Sequence, residues 1–101
     1  MIFDFKSIVE QINQSNIYYK SFIDEPHMDM GMLVLKPGEE DDQKSHTKDE
    51  VYFIIQGNGY LTLNNQKFPI KEKSFYLVKK NTTHKFSNNT KSIIVVYFFG
   101  C

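Results

Sequence analysis

The chain has 101 residues, which allows one domain and one hydrophobic core but not two. Hydrophobic residues make up 41% and charged residues 24%, which excludes a disordered chain, and twelve basic residues balance twelve acidic ones, which excludes the basic stripe that general nucleic-acid binding needs. The single cysteine, Cys101, can close no intrachain disulfide, so a cytoplasmic protein is expected rather than a small secreted scaffold.

The first segment, MIFDFKSIVEQ, is interrupted by Asp4 and Glu10 and has neither the apolar run of a leader nor that of a membrane span. Instead Phe5, Ile8, Val9 and Ile12 recur at helical spacing behind Asp4, a good N-cap, which predicts one short amphipathic helix over about residues 4–14. From Ile17 the pattern changes to short runs rich in Val, Ile, Tyr and Phe, each closed by Gly, Pro, Asn or a charged cluster. These predict eight strands at Tyr18–Ile23, Met28–Leu35, Glu50–Gln56, Tyr60–Leu63, Gln66–Ile70, Ser74–Val78, His84–Ser87 and Ser92–Phe98. Eight short strands after one helix imply an all-β antiparallel sandwich or barrel over about residues 17–99. Asn64-Asn65 and Gly57-Asn58-Gly59 both suit tight hairpins, so strands adjacent in sequence are expected to pair. The longest polar stretch, Lys36–Asp49, carries the acidic run Glu39-Glu40-Asp41-Asp42 and then Lys44, His46 and Lys48, and is expected to be a site-bearing loop.

Three side chains stand out as metal ligands: His46, Glu50 and His84. Two imidazoles and a carboxylate with open positions suit non-haem Fe(II), and also Zn, Mn or Ni. Along one straight strand His46 and Glu50 would be about 13 Å apart at ~3.3 Å per residue, so the chain must turn at Thr47-Lys48-Asp49, bringing His46 from one strand end to the start of the next. Alternation places Glu50, Tyr52 and Ile54 on one face of their strand, and His84 and Phe86 together on one face of theirs. If both faces turn inward, a polar His/Glu cluster sits above an apolar plug of Tyr52, Ile54 and Phe86, the usual form of a small-ligand site. Met28, Met30 and Met32 alternate on one face and are read as packing, His27 as a surface residue, and Asn88 as a turn residue.

The spacing resembles that of the cupins, whose first motif runs Gly, five residues, His-x-His, three or four residues, Glu, six residues, Gly. Here Gly38, Lys44-Ser45-His46, Glu50 and Gly57 keep every interval. The family's second motif, Gly, five residues, Pro-x-Gly, two residues, His, three residues, Asn, is similar to Lys73–Asn88, with His84 and Asn88 in place, Asn81 at a glycine position and Lys79 at the proline. The resemblance covers about residues 30–98 and implies a double-stranded β-helix (jelly-roll) barrel in a single domain spanning 1–101. It also puts Lys44 where the family has its first metal histidine, which leaves His46, Glu50 and His84 as the implied ligands. Lys44 could repel a cation, act as a base or nucleophile, or point to solvent, and Gln43 offers a carbonyl oxygen in its place.

The resulting expectation is a protein holding one divalent ion (Fe, Zn, Mn or Ni) and acting on a small molecule, with oxygenase or isomerase chemistry implied by the resemblance. The alternatives are a metal-free binding or sensory module and a structural domain with a vestigial pocket. The chain contains no arginine, so a neutral or modestly polar ligand is expected over a tightly held carboxylate or phosphate. A homodimer is expected because fifteen aromatic residues and the apolar run Ile93–Phe99 exceed what one small core readily covers, and because the resemblance implies sheet-to-sheet pairing.

Overall fold

Asp4 does cap the single helix: its Oδ2 accepts from the Ser7 N–H at 2.9 Å, and α1 runs Phe5–Asn13 behind it. The computed structural model describes residues 1–100, and Cys101 lies outside them. Eight strands follow: β1 (Tyr19–Glu25), β2 (Met28–Leu35), β3 (Glu50–Gln56), β4 (Tyr60–Leu63), β5 (Gln66–Pro69), β6 (Phe75–Val78), β7 (His84–Ser87) and β8 (Ile93–Phe99). All pairings are antiparallel, and the strands form a five-stranded sheet in the order β1-β2-β8-β3-β6 and a three-stranded sheet in the order β5-β4-β7. The fold is therefore the expected double-stranded β-helix with one short helix. No helix among the described residues is long and apolar enough to cross a membrane.

The two proposed hairpin turns behave differently. Asn64, at φ 54°, joins β4 to β5 in register, with Leu63 opposite Gln66. Gly57-Asn58-Gly59 makes no hairpin: β3 pairs with β6 and β8, β4 pairs with β5 and β7, and the glycines carry the chain from one sheet to the other. Gly57 has φ 120°, and a Cβ there would lie 2.7 Å from the Ile93 Cα. Sequential pairing was thus the wrong expectation for this turn, because two glycines at positive φ also serve a sharp crossover.

The facing sheets enclose a core of Leu33, Leu35, Tyr52, Ile54, Leu61, Ile70, Val78, Phe86, Ile93, Val95 and Tyr97. A second core lies on the outer face of the larger sheet, where Ile8 and Ile12 of α1 cover Met32, Val34 and Ile94. Strands β2 and β8 are buried on both faces for this reason, and both read as nearly continuous apolar runs. The run Ile93–Tyr97 is thereby largely covered within the chain, and it is not the surplus surface that the homodimer argument assumed. Of the alternating methionines only Met32 is buried, and Met28 is exposed.

Gly31, in the middle of β2, opposes Tyr97 of β8 directly, and a Cβ at Gly31 would lie 2.2 Å from both Cζ and the hydroxyl oxygen of Tyr97. A glycine inside a strand weakens it unless another group needs the space, and here the tyrosine ring lies across the bare backbone. Gly31→Ala should destabilise the protein by about 1–3 kcal/mol through overpacking. Adding Tyr97→Leu should recover part of that loss, so a double-mutant cycle read by urea denaturation should show coupling rather than additivity.

Candidate metal centre

The loop between β2 and β3, residues 36–49, contains no strand. His46 therefore comes from this loop and not from a strand end as expected, although the chain does bend at Thr47 and Lys48 to deliver Glu50 at the first position of β3. The backbone carbonyl of His46 accepts from the Asn81 N–H at 2.6 Å, which ties the loop to the turn before β7. Asn81 stands there at φ 63°, the left-handed conformation that asparagine tolerates and that a glycine position requires. His84 is the first residue of β7 and points inward with Phe86, as Glu50 does with Tyr52 and Ile54.

One ligand atom from each of His46, Glu50 and His84 lies within 4.8 Å of the others. Glu50 Oε1 is 3.7 Å from His84 Nε2 and 4.0 Å from His46 Nε2. These atoms, with Glu50 Oε2, are buried and find no hydrogen-bond partner in the protein. Buried polar groups are seldom left so. The tautomer of His84 sharpens the point. Its Nδ1 lies 2.9 Å from the Thr82 carbonyl oxygen, which only accepts, so Nδ1 carries a proton and the other ring nitrogen, Nε2, faces the carboxylate. Metal-binding histidines are commonly oriented in this way by a second hydrogen bond.

Two donors bound at about 2.1 Å to one ion can be at most ~4.2 Å apart. The two distances from Glu50 fall within it and lie roughly 0.3–0.6 Å above the ~3.4 Å separation of tetrahedral donors. The 4.8 Å limit on the full set leaves roughly half an ångström to close, a movement available to His46, whose ring is partly exposed and held on one side by Phe99 at a centroid distance of 4.8 Å. The donor set thus fits a divalent cation.

Electrostatics follow from burial. Burial pushes the Glu50 carboxyl up to about 8, with the Tyr52 hydroxyl offsetting part of the shift from nearby without reaching hydrogen-bond geometry, and with Asp41 and Asp29 adding to it. His46 is held below its ordinary value, first by desolvation and then by His84. Burial also raises the Tyr52 hydroxyl far above the ordinary range.

A cavity of about 300 Å³ opens over His46 and Glu50, walled by Tyr18, Tyr19, Tyr97 and Phe99 and edged by Asp42, Gln43 and Lys44. Gln43 is half-buried and Lys44 exposed, so both border the site, while Tyr52, Ile54 and Phe86 form the plug beneath it. Asp41 went unrecognised in the sequence. It is 2% exposed, and its carboxylate accepts from the Phe86 N–H and the Tyr18 hydroxyl, each at 2.8 Å, pinning the loop to β7 and to the start of β1. One acidic residue in a run of four carries no sequence signal that marks it as the buried one. Asn88 is exposed and accepts from Lys67, and His27 is exposed in the turn between β1 and β2.

Residues 31–100 match the cupin domain family. An uncharacterized protein of Streptomyces coelicolor is 31% identical over 82 residues, which cover 81% of this chain and 78% of that protein. Among solved structures, a protein of Photorhabdus luminescens superposes with a TM-score of 0.76 at 16% identity, covering 100% of this chain and 86% of that one. A cupin of Methanocaldococcus jannaschii with a double-stranded β-helix fold gives a TM-score of 0.74 at 21% identity, covering 81% and 77%.

Glu50 makes the metal-free protein pH-sensitive in a defined direction. Below its ordinary value of 4.5 the carboxyl is protonated in both folded and unfolded chains. Between 4.5 and about 8 the unfolded chain releases the proton and the folded chain retains it, so this contribution to stability is lost as pH rises. His46, with its lowered value, acts in the opposite sense below pH 6.5. Chelator-treated protein should therefore lose stability from pH 6.5 to 8, by denaturant titration, and Glu50→Gln should remove most of that slope.

Proposed function

The chain belongs to the cupin family, and from that premise we propose that it is a metal-binding cupin acting on a small molecule, with His46, Glu50 and His84 as the ligands of one divalent ion, Fe, Zn, Mn or Ni. The observation that carries this reading is the set of buried, unpartnered atoms on those three side chains, with Nε2 of His84 turned toward the carboxylate. An ion there supplies Lewis-acid polarisation of a bound oxygen, or redox chemistry if it is iron, which suits the oxygenase and isomerase classes alike.

The residues around the ion position do the rest. The four aromatic walls of the 300 Å³ cavity favour a compact, largely apolar ligand, and the absence of arginine favours one that is neutral or modestly polar. The exposed ammonium of Lys44 at the cavity edge supports a second reading, a metal-free binding or sensory module, since a cation beside the site opposes an ion in it. The lone cysteine supports a cytoplasmic setting.

A homodimer is part of the proposal, on a surface that takes in only the end of the run the sequence suggested and otherwise lies on β3 and β6. Val51 and Phe53 of β3 lie opposite Leu77 and Phe75 of β6, and Val51 lies beside Phe98 of β8, on the part of the outer face away from α1. Phe75 is 71% exposed and Leu77 59%. Contiguous apolar area of this kind on a sheet face marks an interaction site, and a two-fold axis lets one patch cover itself.

Elemental analysis of protein purified without a nickel column should find close to one equivalent of a transition metal, and His84→Ala should lower affinity for Zn(II) ten-fold or more. No bound metal, and no difference between His84→Ala and the parent on titration, would favour the metal-free reading. Sedimentation should give twice the chain mass, and Leu77→Glu should halve it without loss of fold.

A further inference from the structure

The metal reading leaves the ion with three side-chain donors, and Lys44 stands where the resemblance of the motif implies a further histidine. Resting on that reading, we propose that the Oε1 atom of Gln43 is the missing donor, held in place by the buried carboxylate of Asp41.

Asp41 decides which end of the Gln43 amide faces the site. Its Oδ1 and Oδ2 are fixed by the Tyr18 hydroxyl and the Phe86 N–H, and Gln43 Nε2 donates to Oδ1 at 3.0 Å. A carboxylate oxygen accepts hydrogen bonds, so the amide presents its NH₂ group to Asp41 and its oxygen away from it. That oxygen faces the Tyr52 hydroxyl at 3.4 Å, at the long end of hydrogen-bond range, and Tyr52 lies two residues from Glu50 on the same inward face of β3. Lone-pair capacity therefore remains on Oε1.

Position in the loop agrees with this role. Gln43 borders both the cavity that holds His46 and Glu50 and a second one, of about 310 Å³, that holds His84. It is half-buried where Lys44 is exposed. An amide oxygen is a neutral donor compatible with Zn, Mn and Fe, so it completes a four-donor set without altering the charge of the site.

The test is titration of the metal-free chain with Co(II), whose visible spectrum reports the ligand field, and with Zn(II) for affinity. Gln43→Met keeps the shape of the side chain and removes the oxygen. It should weaken Zn(II) binding by ten-fold or more and shift the Co(II) bands, and it should lower metal-free stability only by the hydrogen bond that Gln43 gives Asp41, leaving the fold intact by circular dichroism. Asp41→Asn should reproduce the loss, because an amide at position 41 that keeps accepting from Phe86 turns its own NH₂ toward Gln43 and reverses the Gln43 amide. Lys44→His added to Gln43→Met should restore affinity by supplying a nitrogen one position on. Unchanged affinity and spectrum in Gln43→Met, with metal still bound by the parent chain, would overturn the role of Gln43 and leave the three-ligand site standing. A parent chain that binds neither ion would overturn the metal reading, and the donor role of Gln43 with it.

Discussion

Two imidazoles and a carboxyl group pressed together inside a protein, with no hydrogen-bond partner for the atoms that face one another, are held there at an energetic penalty. Glu50 and His84 are among the most buried polar residues of the chain, and the hydrogen bond from His84 Nδ1 to Thr82 directs the other ring nitrogen toward the acid. The surrounding strands make this arrangement hard to relax. Glu50 is fixed by its pairing to β6 on one side and to β8 on the other, and His84 by its pairing to β4. Tyr52 and Phe86 pack beneath with ring centroids 5.1 Å apart, so neither strand can withdraw without opening the core. A proton on Glu50 or a cation among the three groups removes that penalty, and the shell around them is arranged for that.

Much of this was legible in the sequence because strands announce themselves by alternation. All eight were placed within about two residues, and the inward faces of β3 and β7 followed from period two alone, which put Glu50 and His84 on the correct side. What alternation does not encode is which strands pair. Gly57 and Gly59 satisfy the turn chemistry of a hairpin and of a crossover equally well, and the long-range pairing of β3 with β8 and of β4 with β7 separates the two cases. Nor could the outer core be read from the strands, since Met32, Val34 and Ile94 pass for ordinary interior residues until α1 is seen lying over them.

The loop from Lys36 to Asp49 shows a further limit of sequence reading. Its residues look uniformly solvated, yet Asp41 is buried and takes hydrogen bonds from two different strands' neighbourhoods, while Gln43 and His46 turn inward around it. Long-range partners 23 and 45 residues away leave no local pattern. The second motif shows the converse. Lys73 and Asn81, which the resemblance sets at glycine positions, both have φ values of 63°, so these turns take the left-handed shape without glycine. Backbone geometry there is held by the rest of the barrel.

The strand order β1-β2-β8-β3-β6 has a consequence for how the molecule comes into being. The central strand of the larger sheet is the last of the eight to leave the ribosome, and β2 and β3 share no edge until β8 arrives between them. Up to that moment both carry apolar strands with open edges, the condition in which nascent chains are most exposed to mispairing. Glu50 gains its second neighbour only then, and Phe99, the ring beside His46, is the last residue of that same strand. The walls around the inner cluster are therefore complete only once β8 has taken its place between β2 and β3.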